Sequence, residues 1–95
     1  MLNAYLAEFL THLKTIKRYS PATLDAYQRD LQNFLNYLQS QDKQEFTEAN
    51  SDDVRAYVAS RFRLGLASTS LQRQLSSLRG FFNYLLKANL VSTNP

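Results

Sequence analysis

The residues from Ser68 to Leu90, STSLQRQLSSLRGFFNYLLKANL, fit one regular structure well. With Leu71 at zero and about 100° per residue, Leu75, Leu78, Phe82, Leu85 and Leu86 fall in a stripe roughly 100° wide, with Phe81 at its edge. The far side holds Thr69, Arg73, Ser76, Ser77 and Gly80: small hydroxyls, a glycine and a cation, with no carboxylate. The stripe predicts a helix packed on a core. The polar side suits a surface rich in phosphates.

Such a helix needs partners, and the chain supplies three. Leu2, Leu6, Phe9, Leu10 and Leu13, with Tyr5 beside them, repeat at helical spacing and predict a helix over 2–16. It ends in the basic residues Lys14, Lys17 and Arg18, which a helix C-terminus favours through its dipole. Ser20-Pro21 is a strong start signal, with serine at the N-cap and proline at the first helical position. Leu24, Tyr27, Leu31, Phe34, Leu35 and Leu38 carry that second helix over 21–39. Asp25 and Arg29 are spaced for an ion pair within it. Residues 40–51 read as a polar, mostly acidic loop that Phe46 pins to the core and that faces away from any polyanion. Ser51 or Asn50 caps a third helix over 52–64, with Asp52 and Asp53 in its first turn and Val54, Tyr57 and Val58 on its core face; Gly65 stops it. Ser68 or Thr69 then caps the last helix, 69–89. Two glycines and two prolines in 95 residues agree with long helices and few turns. The fold expected is all-α, a single domain of four helices. Asn94-Pro95 makes an abrupt terminus, which suggests a domain of a longer protein.

Charge is distributed unevenly. Residues 54–95 carry Arg55, Arg61, Arg63, Arg73, Arg79 and Lys87 and no acidic group, whereas 40–53 carry Asp42, Glu45, Glu48, Asp52 and Asp53 against Lys43. Two readings are open, a chance cationic face or an electrostatic footprint for nucleic acid. Ala22, Ala26, Arg29 and Asn33 share the exposed side of the second helix. The alanines either leave its surface low for close approach or serve simply as good helix formers.

Catalytic arrangements are missing from the sequence. There is no cysteine, no glycine-rich phosphate loop, no Ser-His-Asp arrangement and no set of paired metal ligands, so neither cofactor nor metal is expected. His12 stands alone and receives no role. No run approaches a membrane span and the N-terminus lacks the pattern of a signal peptide, so the cytoplasm is the expected compartment.

Three segments, in order, carry a resemblance. Ser20-Pro21-x-Thr23-Leu24-x-x-Tyr27-x-x-Asp30-Leu31-x-x-Phe34 resembles the opening motif of the N-terminal core-binding domain of tyrosine recombinases and phage integrases. Phe46-Thr47 before Asp53-Val54-Arg55-x-Tyr57 resembles that family's third-helix entry. Arg73-x-Leu75-Ser76-Ser77-Leu78-Arg79-x-Phe81-Phe82-x-Tyr84-Leu85, then Leu90-Val91-x-x-Asn94-Pro95, resembles its last core-binding helix and the exit toward the catalytic domain. Essentially all 95 residues are covered. The phrase around Leu75–Phe82 is most similar to the bacterial Xer recombinases, of the XerC kind; phage and integron integrases are alternatives.

The resemblance implies a compact four-helix orthogonal bundle of the SAM-like type that clamps double-stranded DNA opposite a catalytic domain, within a synaptic tetramer of recombinase protomers. For the Xer type it implies resolution of chromosome dimers. This segment would hold no catalytic residue. Its second and fourth helices would approach the major groove, which makes Ser20, Thr23, Ala26 and Arg29, and Ser68, Thr69, Arg73, Ser77 and Arg79, the expected contacts. Arg73 lies mid-face and is the candidate for a base edge. The hydroxyls at helix starts suit phosphate oxygens. Lys17, Arg18, Arg61 and Arg63 read as positioning charges. Arg79 has two readings, a phosphate contact or an intramolecular ion pair. Other readings of the chain are a free-standing helical DNA-binding module and a protein-interaction domain with an incidental basic face.

Overall fold

The computed structural model describes residues 2–95. Four helices form: α1 (Ala4–Thr15), α2 (Pro21–Ser40), α3 (Ser51–Arg63) and α4 (Ser68–Lys87), with a 3-10 turn at Phe46–Glu48. The all-α, four-helix expectation holds. None of the helices is long and apolar enough to cross a membrane.

The ends differ from expectation by one or two residues, each for a local reason. Helix α1 starts at Ala4 because the Asn3 side chain accepts hydrogen bonds from the N–H groups of Tyr5 and Leu6. Ser20 caps α2 as expected, its Oγ accepting from the Thr23 N–H at 3.3 Å. The cap of α3 is Asn50, whose side chain and Asp53 exchange hydrogen bonds with each other's backbone N–H, at 3.0 and 2.9 Å. Helix α4 departs from expectation: its N-cap is Ala67, and no side chain caps it. Gly65, at φ +88°, ends α3 as a left-handed residue, with the Leu66 N–H reaching back to the Arg61 carbonyl at 3.1 Å. Asn89 at φ +60° ends α4 in the same way, two residues earlier than expected, with the Leu90 N–H on the Leu85 carbonyl at 2.9 Å.

The core gathers Leu6, Phe9 and Leu13 from α1, Leu31, Phe34, Leu35 and Leu38 from α2, Tyr57 from α3, and Leu78, Phe81, Phe82 and Leu85 from α4. Phe46 is fully buried, its ring 4.5 Å from that of Phe81 edge to face, so it does fix the acidic loop to the core. This loop follows the C-terminus of α2, about 30 Å along the 20-residue helix from Ser20 and Thr23.

The buried arc of α4 is turned from the predicted stripe. Leu71, Gln74, Ser77, Leu78, Phe81, Phe82 and Leu85 are buried, while Leu75 is at the boundary and Leu86 is exposed. On a 100° wheel this rotates the inward face by about 60° toward the side that reads as polar. The rotation puts Gln74 and Ser77 inside, and both have partners there. Tyr57 donates its hydroxyl hydrogen to Gln74 Oε1 at 2.6 Å, joining α3 to α4. Ser77 Oγ lies 3.2 Å from both Asp30 Oδ2 and the Arg73 carbonyl.

Candidate nucleic-acid interface

The two longest helices, α2 and α4, lie against each other, and the contact is organised around Asp30. The side chain points in from α2 and is 2% exposed. An ionised carboxylate there requires donors. Arg73 supplies two from α4, Nε at 3.1 Å to Oδ2 and Nη2 at 3.0 Å to Oδ1, and Ser77 supplies a third. The paired hydrogen bonds to Asp30, and second its charge, raise the Arg73 pKa above its ordinary value. The Arg73 side chain is itself 48% exposed. One edge of its guanidinium is committed to Asp30 and the other faces solvent. Beside it runs a shallow groove of about 350 Å³ lined by Ala22, Thr23, Ala26 and Tyr27 from α2 and Ser76 and Ser77 from α4. The small side chains make this groove possible.

The structure places the expected contact residues in several different settings. Ser20, Thr23, Arg29, Arg63, Ser68, Thr69 and Arg79 are exposed, and Ala26 is half-buried at the groove. Arg79 has no acidic partner, so the ion-pair reading of it is not realised among the described residues. Lys17 and Arg18 are exposed in the α1–α2 connection, where Arg18 turns the chain at φ +55°. Arg61 lies half-buried with its guanidinium 4.8 Å above the Tyr57 ring and its Nε without a partner. Ser77 corrects the expectation: at 3% exposure, and hydrogen-bonded to Asp30, it has no surface to offer a ligand. Arg73 is corrected in part, since it is both an internal tie and an exposed donor. The expected Asp25–Arg29 pair does not form; the ion pairs present among the described residues are Lys43–Asp53, Arg55–Asp52 and Arg73–Asp30.

Carboxylates are scarce on this surface. Helix α4 has none. Of the two on α2, Asp30 is neutralised by Arg73, and Asp25 lines the flank with Gln28, Arg29, Gln32 and Asn33 rather than the groove. Sequence reasoning missed Asp30 as the organiser. Its available signal was an acid one residue before Leu31 of the apolar stripe, in a chain whose residues 54–95 carry five arginines and no acid of their own.

The model of the phage integrase N-terminal SAM-like domain matches residues 6–89. The chain belongs to that family. Curated relatives include a tyrosine recombinase XerC of Xanthomonas campestris pv. campestris, 37% identical over 87 residues, which cover 92% of this chain and 27% of that protein. A tyrosine recombinase XerD of Shewanella oneidensis is 46% identical over 87 residues, 92% of this chain and 29% of its own length. A XerC of Pseudomonas savastanoi pv. phaseolicola is 32% identical over 94 residues, 99% of this chain and 31% of its own. The chain therefore spans under a third of the length of these relatives. No solved structure matches it. The Xer resemblance seen in the three sequence segments is thus supported along almost the whole chain.

Proposed function

We propose that this domain is the DNA-clamping N-terminal domain of an Xer-like site-specific tyrosine recombinase. In this reading it grips one side of a duplex while a separate catalytic domain cuts and rejoins strands, within an assembly of protomers that resolves chromosome dimers. The observation that supports it best is the α2–α4 surface. Alanine and serine side chains line a low groove there beside the half-exposed Arg73, the one buried carboxylate is internally neutralised, and Arg29 on α2 and Arg79 on α4 are exposed and unpaired among the described residues.

The roles follow from chemistry. Arg29, Arg63, Arg79, Lys17 and Arg18 place net positive charge where phosphates would lie, and supply affinity with little sequence choice. Ser20 and Thr23 at the start of α2 offer hydroxyls, and Ser68 and Thr69 in the uncapped first turn of α4 offer hydroxyls and free N–H groups, to phosphate oxygens. Ala22 and Ala26 let the backbone of the duplex come close to α2. The acidic loop sits at the far end of α2, where it does not repel the polyanion.

Fluorescence anisotropy of a labelled duplex, titrated with the 95-residue chain at several salt concentrations, tests this reading. Log affinity should fall linearly with log salt, with a slope of about −0.9 per phosphate neutralised. Arg79→Ala should make that slope shallower by roughly 0.9 and weaken all duplexes alike. Absence of any salt-dependent duplex binding would refute the reading and favour a protein partner for the basic face.

A further inference from the structure

The geometry points to Arg73 as a base-reading residue, a reader of guanine in the major groove, with Asp30 as the residue that positions it. This inference rests on the DNA-clamping reading above. A guanidinium has five N–H donors in a planar fork. Nε and one hydrogen of Nη2 are held by the two oxygens of Asp30, at 3.1 and 3.0 Å. The hydrogens that remain are the second on Nη2 and both on Nη1. One from each nitrogen forms the end-on fork, and this is a ready bidentate donor. Its orientation is fixed, because the Asp30 carboxylate is 2% exposed and further held by Ser77.

Two kinds of acceptor pair in DNA fit an end-on fork, the oxygens of a phosphate and the O6 and N7 of guanine. Charge decides between them. Asp30 and Arg73 together are neutral, so the pair adds no net attraction for a phosphate and releases no counterion. Arg73 is also not free to leave Asp30 for a phosphate, because that would strand a carboxylate that is almost wholly buried. A guanine edge carries no formal charge and is read by the direction of hydrogen bonds, which the pinned fork supplies at little further entropic cost. The exposed Arg29, Arg63 and Arg79 lack a carboxylate partner and serve phosphates; Arg73 is built differently and does different work.

The test begins with selection of preferred duplexes from a randomised pool by the 95-residue chain. Binding to the selected duplex, to its single-base variants and to an unselected duplex is then measured over a range of salt. The wild type should prefer guanine at one position by about 5- to 150-fold over the other bases. Arg73→Lys keeps the charge but loses the fork, so that preference should vanish with the salt slope unchanged. Asp30→Asn frees the fork and removes a negative charge. It should erase the same preference, yet bind the unselected duplex more tightly and with a slope steeper by about 0.9. If Asp30 served only to hold the fold, its variant would melt lower and bind both duplexes more weakly, with the base profile intact; that result overturns the positioning role. If Asp30→Asn does not fold, Arg73→Lys decides alone. A wild type with no guanine preference, or an Arg73→Lys variant that retains it, overturns the base-reading role while leaving the DNA-clamping reading in place. A chain that binds no duplex at low salt defeats both.

Discussion

Tyr57→Phe isolates one buried hydrogen bond with almost no change of shape. The Tyr57 ring is 1% exposed and meets Phe34 at 5.2 Å and Tyr37 at 5.4 Å, both edge to face, and phenylalanine keeps all of that packing. What disappears is the hydroxyl that donates to Gln74 Oε1 at 2.6 Å. Gln74 is 7% exposed, so its carbonyl is left without this donor and with little access to water. Leaving a buried acceptor unsatisfied costs about 1–3 kcal/mol, and the small remaining exposure of Gln74 favours the lower half of that range. At roughly 4–8 °C per kcal/mol for a chain of this length, about 1.5 kcal/mol lowers the melting temperature by about 6–12 °C. Urea unfolding followed by circular dichroism should show the same loss in midpoint with an unchanged slope, since no surface is gained or lost. Gln74→Met removes the stranded acceptor, so the Tyr57→Phe/Gln74→Met double variant should recover much of the loss. A single variant that melts within about 2 °C of wild type would mean that Gln74 finds water, and that the α3–α4 tie does not depend on this bond.

Other expectations are simpler. Phe81→Ala opens a cavity among Phe9, Phe46 and Phe82 and should cost about 3–5 kcal/mol, enough to broaden or abolish the cooperative melt. Gly80→Ala should raise stability by about 1 kcal/mol, because a Cβ at Gly80 meets nothing within 4 Å and alanine is the better helix former; a thermal melt reads it directly. Burial, first, raises the pKa values of Tyr57 and Tyr27, with Arg61 opposing it for Tyr57 and Tyr19 adding to it for Tyr27. Their protonated forms are favoured in the fold, so this contribution is fully present below about pH 10 and is lost as pH rises through the raised values. Absorbance titration should find Tyr57 and Tyr27 ionising above the ordinary tyrosine range, with denaturant stability falling over the same alkaline range.

Most of the helices were legible because their signals are local. Ser20-Pro21 marks the start of α2 through a cap three residues long, and Gly65 marks the end of α3 through a single left-handed residue. The face of α4 was misjudged because periodicity counts glutamine and serine as outward-facing. Gln74 and Ser77 are buried here only because their partners, Tyr57 and Asp30, arrive from 17 and 47 residues away. The same distance hid the dual role of Arg73, whose acid is 43 residues upstream, while the tempting local pair of Asp25 and Arg29 stays apart in water. Exposed ion pairs one helical turn apart gain little, so either outcome costs little: Arg55–Asp52 closes at 3.3 Å while Asp25 and Arg29 stay apart. The basic character of the α2–α4 surface was readable from composition. Which arginines remain free on it depended on tertiary pairing.

Helix α4 begins at Ala67 with no side chain accepting from its first N–H groups, whereas Asn3, Ser20 and Asn50 do this for α1, α2 and α3. Amides in an uncapped first turn exchange with solvent ahead of the rest of a helix. The amides of Ser68, Thr69 and Ser70 should therefore be among the fastest to exchange in α4 of the free domain. An oxyanion seated there would supply the acceptor the sequence omits. Hydrogen exchange would then register duplex binding as slowed deuterium uptake at this one turn, before any change in the deep core around Phe81.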